Sequence, residues 1–239
     1  MMNGGSMQEY NSLEKMIHNL LQLDVEAWGM YAFSRELLKN RIQPKEKAEM
    51  IAKANLCGKE YAHRVMKELG SSDIRTIAEK QKIKISYQDV SMTGKRVLFA
   101  CFTPPDEIQI MSEPVQKATQ LILEQAPNLV ELFTQNGIID TIVGHEIYHF
   151  IEEKYEKEIF TRTKKILLWK FLGFKNYSTI RTLGEIGAMA FTKELNGLQY
   201  SPFLLDFLLY YSYDSSGASN IYRDILGIST ESREAVEGR

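Results

Sequence analysis

The sequence predicts an α+β fold in which helices at both ends enclose a small three-stranded antiparallel sheet. Three observations carry this. Apolar residues recur three and four apart from Met7 to Gln81, the period drops to two between Lys82 and Met111, and the helical period returns after Pro114. A helical stripe and an alternating strand each bury one side only, so the two kinds of element must pack on one another.

The elements follow in order. Leu13, Ile17, Leu20 and Leu21, with Glu14, Lys15 and Asn19 between them, open a helical region that reaches about Arg41. Pro44 suits the first position of a second helix, because its missing N–H has no partner there, and Gly70 ends that helix after Leu69. Ser71 or Ser72 caps a short helix from Asp73 to Gln81. Lys82 to Gln88 is the first strand, Ser91 to Lys95 the connection, Arg96 to Phe102 the second strand, and Glu107 to Met111 the third. Helices then run through Leu121 to Phe133, from about Ile138 to Lys157, from near Leu183, and from Pro202, the last of these strongly apolar. After Asp214 the chain is polar and weakly patterned. This divides the sequence into an N-terminal helical region (7–70), a mixed domain (71–213) and a polar C-terminal tail (214–239), with no linker that forces a split into separate domains.

Composition excludes several classes. With 239 residues, 44% hydrophobic and 25% charged, the chain has ample core and no signature of disorder. A formal net charge of -2 argues against nucleic acid as a direct partner. The most apolar stretches, Ile166 to Phe174 and Phe203 to Tyr211, are short and interrupted by Lys170 and Asp206, so no membrane-spanning helix is expected. Cys57 and Cys101 are too few for a disulfide framework and read as reduced thiols of a cytoplasmic chain. The opening residues carry no secretory signal; Met1 to Ser6 read as a cloning remnant or an alternative start and are left out of the fold reasoning.

Only four histidines occur, and two of them fall in His145-Glu146-Ile147-Tyr148-His149, an H-E-x-x-H pattern on an expected helix. Residues i and i+4 share a helix face, so both imidazoles can reach one zinc ion at about 2.0–2.1 Å. Glu146 lies about 100° round the helix, beside the ion and not on it, where a general base for a metal-activated water belongs. Ile139, Val143, Ile147, Phe150 and Ile151 form one apolar stripe, while Ile138 and Ile142 share the histidine face, so protein should cover the helix on both sides. Gly144 suggests close approach of another backbone.

A catalytic zinc site keeps a third protein ligand. Glu153 continues the i, i+4, i+8 row, but eight helical residues rise about 12 Å, too far to share the ion. Glu152 and Glu153 read instead as a solvated helix end beside Lys154 and Lys157. Glu185 is the better candidate: it opens an apolar helix in Leu183-Gly-Glu-Ile-Gly-Ala-Met, where a carboxylate needs a partner, and Gly184, Gly187 and Ala188 permit close helix approach.

These residues, with the downstream Glu185-x-x-Ala188-x-x-Phe191 and the upstream run Ile74 to Tyr87, resemble the ImmA/IrrE-type zinc metallopeptidases over roughly residues 71–205. The resemblance implies a zincin-like domain, gluzincin-like in its ligand set, with zinc on His145, His149 and Glu185, water activated by Glu146, and a peptide or protein substrate that in some members is a helix-turn-helix repressor. The chain departs from the family's usual Leu-Gly within the motif, having Ile147-Tyr148, and no helix-turn-helix stands at its N-terminus.

The expectation is therefore a zinc-dependent metallopeptidase; the alternative is a regulatory or binding protein that retains the zinc in a structural or sensory role. Tyr148, Arg181 and Tyr200 are candidates to stabilise a transition-state oxygen. The basic and aromatic stretch Thr161 to Tyr177 reads as a lid or connector over the site and a place of substrate selection, or as an amphipathic membrane or partner surface. Cys57 and His63 read as core packing, and His18 as structural or surface.

Overall fold

The structure, a computed structural model, describes residues 12–89 and 98–237, with side chains up to residue 230. The helical start at Met7, the Ser91 to Lys95 connection and the first residues of the expected second strand, Arg96 and Val97, lie outside the described residues.

The architecture is α+β. The N-terminal region forms α1 (Leu13–Leu21), α2 (Val25–Ser34) and α3 (Pro44–Leu69), and α4 (Ile74–Lys80) leads into the sheet. Asp24 separates α1 from α2 because its Oδ1 accepts the Ala27 N–H at 2.8 Å and caps α2. Pro44 and Gly70 bound α3 as expected, Gly70 in the left-handed conformation with φ 63°. Asp73, not Ser71 or Ser72, caps α4: its Oδ1 accepts the Thr76 N–H at 2.7 Å.

The sheet holds β1 (Lys84–Gln88), β2 (Ala100–Thr103) and β3 (Glu107–Met111) in the order β1-β3-β2. It is mixed, not antiparallel: β2 pairs antiparallel with β3, while β1 pairs parallel with it, Lys84 opposite Glu107 and Gln88 opposite Met111. The reason is burial. Ile108 and Ile110 of β3 are fully buried, so β3 takes the centre, and the chain between β1 and β2 crosses to the far edge instead of turning back.

α5 (Ser112–Gln125) and a 3-10 turn at Pro127–Leu129 lead to α6 (Gln135–Lys154), the motif helix, which Thr134 caps through the Gly137 N–H at 3.1 Å. The basic, aromatic stretch, read as a lid or connector, is mostly strand. It forms α7 (Phe160–Thr163) and then a hairpin of β4 (Lys165–Phe171) and β5 (Phe174–Thr179). α8 (Arg181–Leu195), α9 (Phe203–Tyr211) and α10 (Ser215–Glu237) complete the fold. α10 stands where a polar tail was expected. Ala218, Tyr222 and Ile225 recur on one face, are buried against α2 and α9, and Tyr222 Oη accepts a hydrogen bond from Asn19.

One buried cluster runs from Leu13 to Ile225. Within it α3 and α8 pack backbone to backbone. A Cβ on Gly58 would collide with the Gly187 carbonyl and meet the Phe191 amide at 2.8 Å, so only glycine permits this approach. That contact fixes α8 from behind and sets its ligand-bearing face toward α6.

Candidate metal centre

α6 and α8 present His145, His149 and Glu185 to one point. His145 Nε2 lies 3.1 Å from His149 Nε2 and 3.3 Å from Glu185 Oε2, and His149 Nε2 lies 3.8 Å from Glu185 Oε1. Two nitrogens at about 2.0–2.1 Å from a tetrahedral zinc stand about 3.3–3.4 Å apart, so the triangle has the size of one face of such a site. The donor set, two imidazoles and a carboxylate, also fits zinc. Among the described residues no fourth His, Cys, Asp or Glu joins the group.

His145 and Glu185 are coupled through one short contact. Burial works to lower the His145 pKa, but the hydrogen bond and charge of Glu185, with Glu146 adding to them, carry it up to about 9. Burial works to raise the Glu185 carboxyl, and the same His145 contact brings it down to about 2.

His149 is oriented from behind by Glu152, a residue the sequence placed at a solvated helix end. Its side chain is 3% exposed. Its Oε2 accepts from His149 Nδ1 at 3.0 Å, which leaves Nε2 with its lone pair toward the metal position. Thr161 Oγ1 of α7 donates to Glu152 Oε1 at 2.5 Å, and Arg162 Nε approaches Oε2 at 3.5 Å. Behind Thr161 the Tyr148 hydroxyl lies at 3.2 Å and Cys57 Sγ 3.8 Å further on. The sequence signal was His149-x-x-Glu152, one turn apart on a helix face known to carry ligands.

Glu146 sits beside the triangle. Its Oε2 accepts the Phe102 N–H of β2 at 2.9 Å, so the edge of the sheet fixes the carboxylate. A cleft opens in front, bordered by His145, Glu146, Glu185, Phe99, Ile142, Met189, Leu205 and Asp206. Asp206 is the acid that interrupted the apolar α9 sequence. Burial raises its carboxyl to about 6, against the lowering pull of His145 and Arg35.

Of the three transition-state candidates, two are turned away. Tyr148 is fully buried with its hydroxyl on Thr161 and against Gly187, and Tyr200 packs on Phe133 with ring centroids 5.0 Å apart. Arg181 is exposed and, with Arg35, which sequence reasoning missed, lines a neighbouring pocket that shares Glu185 and Asp206 with the cleft. Glu36 was missed too. This buried acid accepts the Thr182 N–H at 3.1 Å and the Thr182 hydroxyl at 2.9 Å, capping α8 one turn before Glu185.

Other expectations resolve simply. The motif helix is covered on both sides, as its two apolar stripes required. Gly144 faces the Thr192 side chain, at 3.0 Å from a notional Cβ, and not another backbone. Cys57 is buried, whereas His63 is exposed and pairs with Glu194 at 2.8 Å, and His18 is a surface residue near Glu14. The hairpin does not cover the cleft; only its ends, through Thr179 and the flanking Ile180 and Arg181, border the opening beside His149. No described helix is long and apolar enough to cross a membrane. Comparison with family models, with curated proteins and with solved structures returns no match.

Proposed function

We propose that this chain is a zinc-dependent metallopeptidase. The observation that carries the reading is the convergence of His145, His149 and Glu185 on one point at the rim of a cleft, with Glu146 anchored next to it. A zinc ion held there polarises a substrate carbonyl and lowers the pKa of water toward 7.

The chain's own groups have distinct tasks. Glu152 holds the His149 tautomer, and Glu36 holds the α8 turn that carries Glu185. Glu146, fixed by the Phe102 amide, accepts the proton of the attacking water at its carboxylate and returns it to the leaving amine. Arg181 and Arg35, across Glu185 and Asp206 in the neighbouring pocket, are the nearest positive charges to offer an oxygen that becomes negative. The apolar wall of Phe99, Ile142, Met189 and Leu205 receives a peptide side chain and excludes water. The open ligand position favours an enzyme over a structural or sensory site, which needs a fourth ligand to close it. The resemblance makes a helix-turn-helix repressor one protein substrate to try.

Purified protein should hold about one zinc per chain. Glu146→Gln should retain that zinc and lose about 10²–10⁴-fold in cleavage of a quenched peptide library. A variant that cleaves as well as wild type would refute the mechanism, and a chain that takes up no zinc after supplementation would refute the site.

A further inference from the structure

We propose that the β4–β5 hairpin docks on an anionic lipid bilayer, its apolar tip entering the interface and its lysines meeting the headgroups. Among the described residues, six of the twelve exposed large hydrophobic side chains lie on this hairpin. Phe171 is 67% exposed, Leu172 82% and Phe174 73%, with Trp169, Leu167 and Tyr177 about half exposed behind them. Ile166, Leu168 and Ile180 tuck the base into the body, and Arg41 Nη1 donates to the Leu168 carbonyl at 2.7 Å. The rest projects.

The turn does not require this apolarity. Leu172 and Gly173 both have positive φ, 44° and 87°, the geometry of a two-residue turn that Asn-Gly satisfies without strain. A leucine there is strained and presents its whole side chain to the exterior, so folding alone gives no reason for it.

Charge identifies the partner. From Ile159 to Gly184 the chain has no Asp or Glu and carries Arg162, Lys164, Lys165, Lys170, Lys175 and Arg181, in a molecule whose formal net charge is -2. Lys164 pairs with Glu46; Lys165, Lys170 and Lys175 enter no ion pair among the described residues. In register Phe171 lies opposite Phe174, and one rung behind them Lys170 lies opposite Lys175. Like charges directly opposite destabilise a hairpin, and anionic phosphates relieve the repulsion.

The arrangement is amphipathic. Past the bulge at Leu167/Trp169, Trp169, Phe171 and Phe174 share one face of the ribbon and Lys170 and Lys175 the other. Hydrocarbon at the tip, with an indole and amines one or two rungs behind, matches the depth profile of a membrane interface. Phe171, Leu172 and Phe174 together make the tip an apolar ridge.

The test is co-sedimentation of the full chain with sucrose-loaded vesicles of phosphatidylcholine containing about 30% phosphatidylserine, against pure phosphatidylcholine. Wild type should partition at least tenfold better onto the anionic vesicles. Lys170→Gln with Lys175→Gln should remove most of that preference, about thirtyfold for the loss of two lysines near an anionic surface. Leu172→Asn with Phe171→Ser and Phe174→Ser should abolish partition while circular dichroism stays unchanged. Absence of vesicle binding by wild type, or binding that neither variant weakens, overturns the proposal. So does hairpin-dependent self-association in light scattering without vesicle binding, which would make the ridge a protein interface. Partition is read without substrate, so a failure of the peptidase reading leaves it intact.

Discussion

The α6–α8 pair and the β4–β5 hairpin belong to one continuous stretch of chain and are built on opposite rules. In the helix pair the polar groups behind and around the converging trio have partners inside the protein: Glu185 on His145, Glu152 on His149, Thr161 on Glu152, Glu36 on the first turn of α8. In the hairpin, Leu172 and the facing Lys170 and Lys175 are set against their local preferences, with positive φ on a leucine and like charges across the strands. The first region spends its sequence on holding one geometry. The second holds a shape that the fold does not use, which points outward to whatever meets it. Substitutions should therefore act on ligand binding in one region and barely touch stability in the other.

The largest effect should come from removing a converging group. Glu185→Ala should weaken zinc binding roughly 10²–10³-fold, a quarter share of the roughly 10–16 kcal/mol of a four-ligand site. Competition with a chromophoric chelator measures it. An unchanged affinity would mean that the helix pair is ordered for some purpose other than a metal. Glu152→Gln tests the layer behind. It keeps the volume and removes the charge that His149 Nδ1–H faces, and zinc affinity should fall about 10–100-fold. The same pair of substitutions should leave vesicle partition unaffected, since neither residue lies on the hairpin.

Protons compete with the metal, which gives the third effect. His145 is raised to about 9, so below that pH it must lose a proton to become a ligand, and zinc affinity should drop about tenfold per unit as pH falls from 9 to 7. In zinc-free protein the sign reverses. A histidine whose folded pKa is raised stabilises fully below its ordinary value of 6.5, and that stabilisation is lost as pH rises through about 9. Glu185, lowered to about 2, stabilises above its ordinary 4.5 and is lost as pH falls through about 2. The zinc-free chain should thus melt highest between those two ordinary values, and zinc should raise its melting temperature more at pH 8 than at pH 6. Melts that rise through pH 9 without metal would show that the His145–Glu185 pair does not stabilise the zinc-free fold.

How far the sequence could be read follows the same division. The converging trio was legible because helix periodicity is local: His145 and His149 share a face by spacing alone, and Glu185 stood out as a lone acid among glycine, alanine and isoleucine. Glu152 was misread because its cover comes from α7, a four-residue helix with no periodicity to announce it, while Glu153, Lys154 and Lys157 nearby imitate a solvated end. The sheet's strands were found, but not their directions, since which strand takes the centre depends on the burial of Ile108 and Ile110 against helices far away in sequence. α10 escaped because Ser, Gly and Asp dilute the spacing of Ala218, Tyr222 and Ile225. Alternation in β4 was hidden by its bulge, which shifts the period between Leu167 and Trp169.

The smallest effect is the most discriminating, because its sign differs between the two regions. Truncating a buried apolar side chain of the helix pair, such as Ile147 or Phe191, should destabilise by about 2–5 kcal/mol. Leu172→Asn also removes an apolar side chain, yet asparagine tolerates positive φ far better than leucine and little contact is lost at 82% exposure. The variant should be more stable by up to about 1 kcal/mol, a rise of roughly 2–4 °C in melting temperature for a chain of this size. A thermal melt and a urea titration decide it. If Leu172→Asn destabilises, the leucine is packed against the body, the hairpin obeys the same rule as the helices, and its exposed tip needs no outside partner to explain it. If it stabilises, the chain carries an apolar residue at a cost to its own fold, and the reason for that residue must lie outside the folded chain.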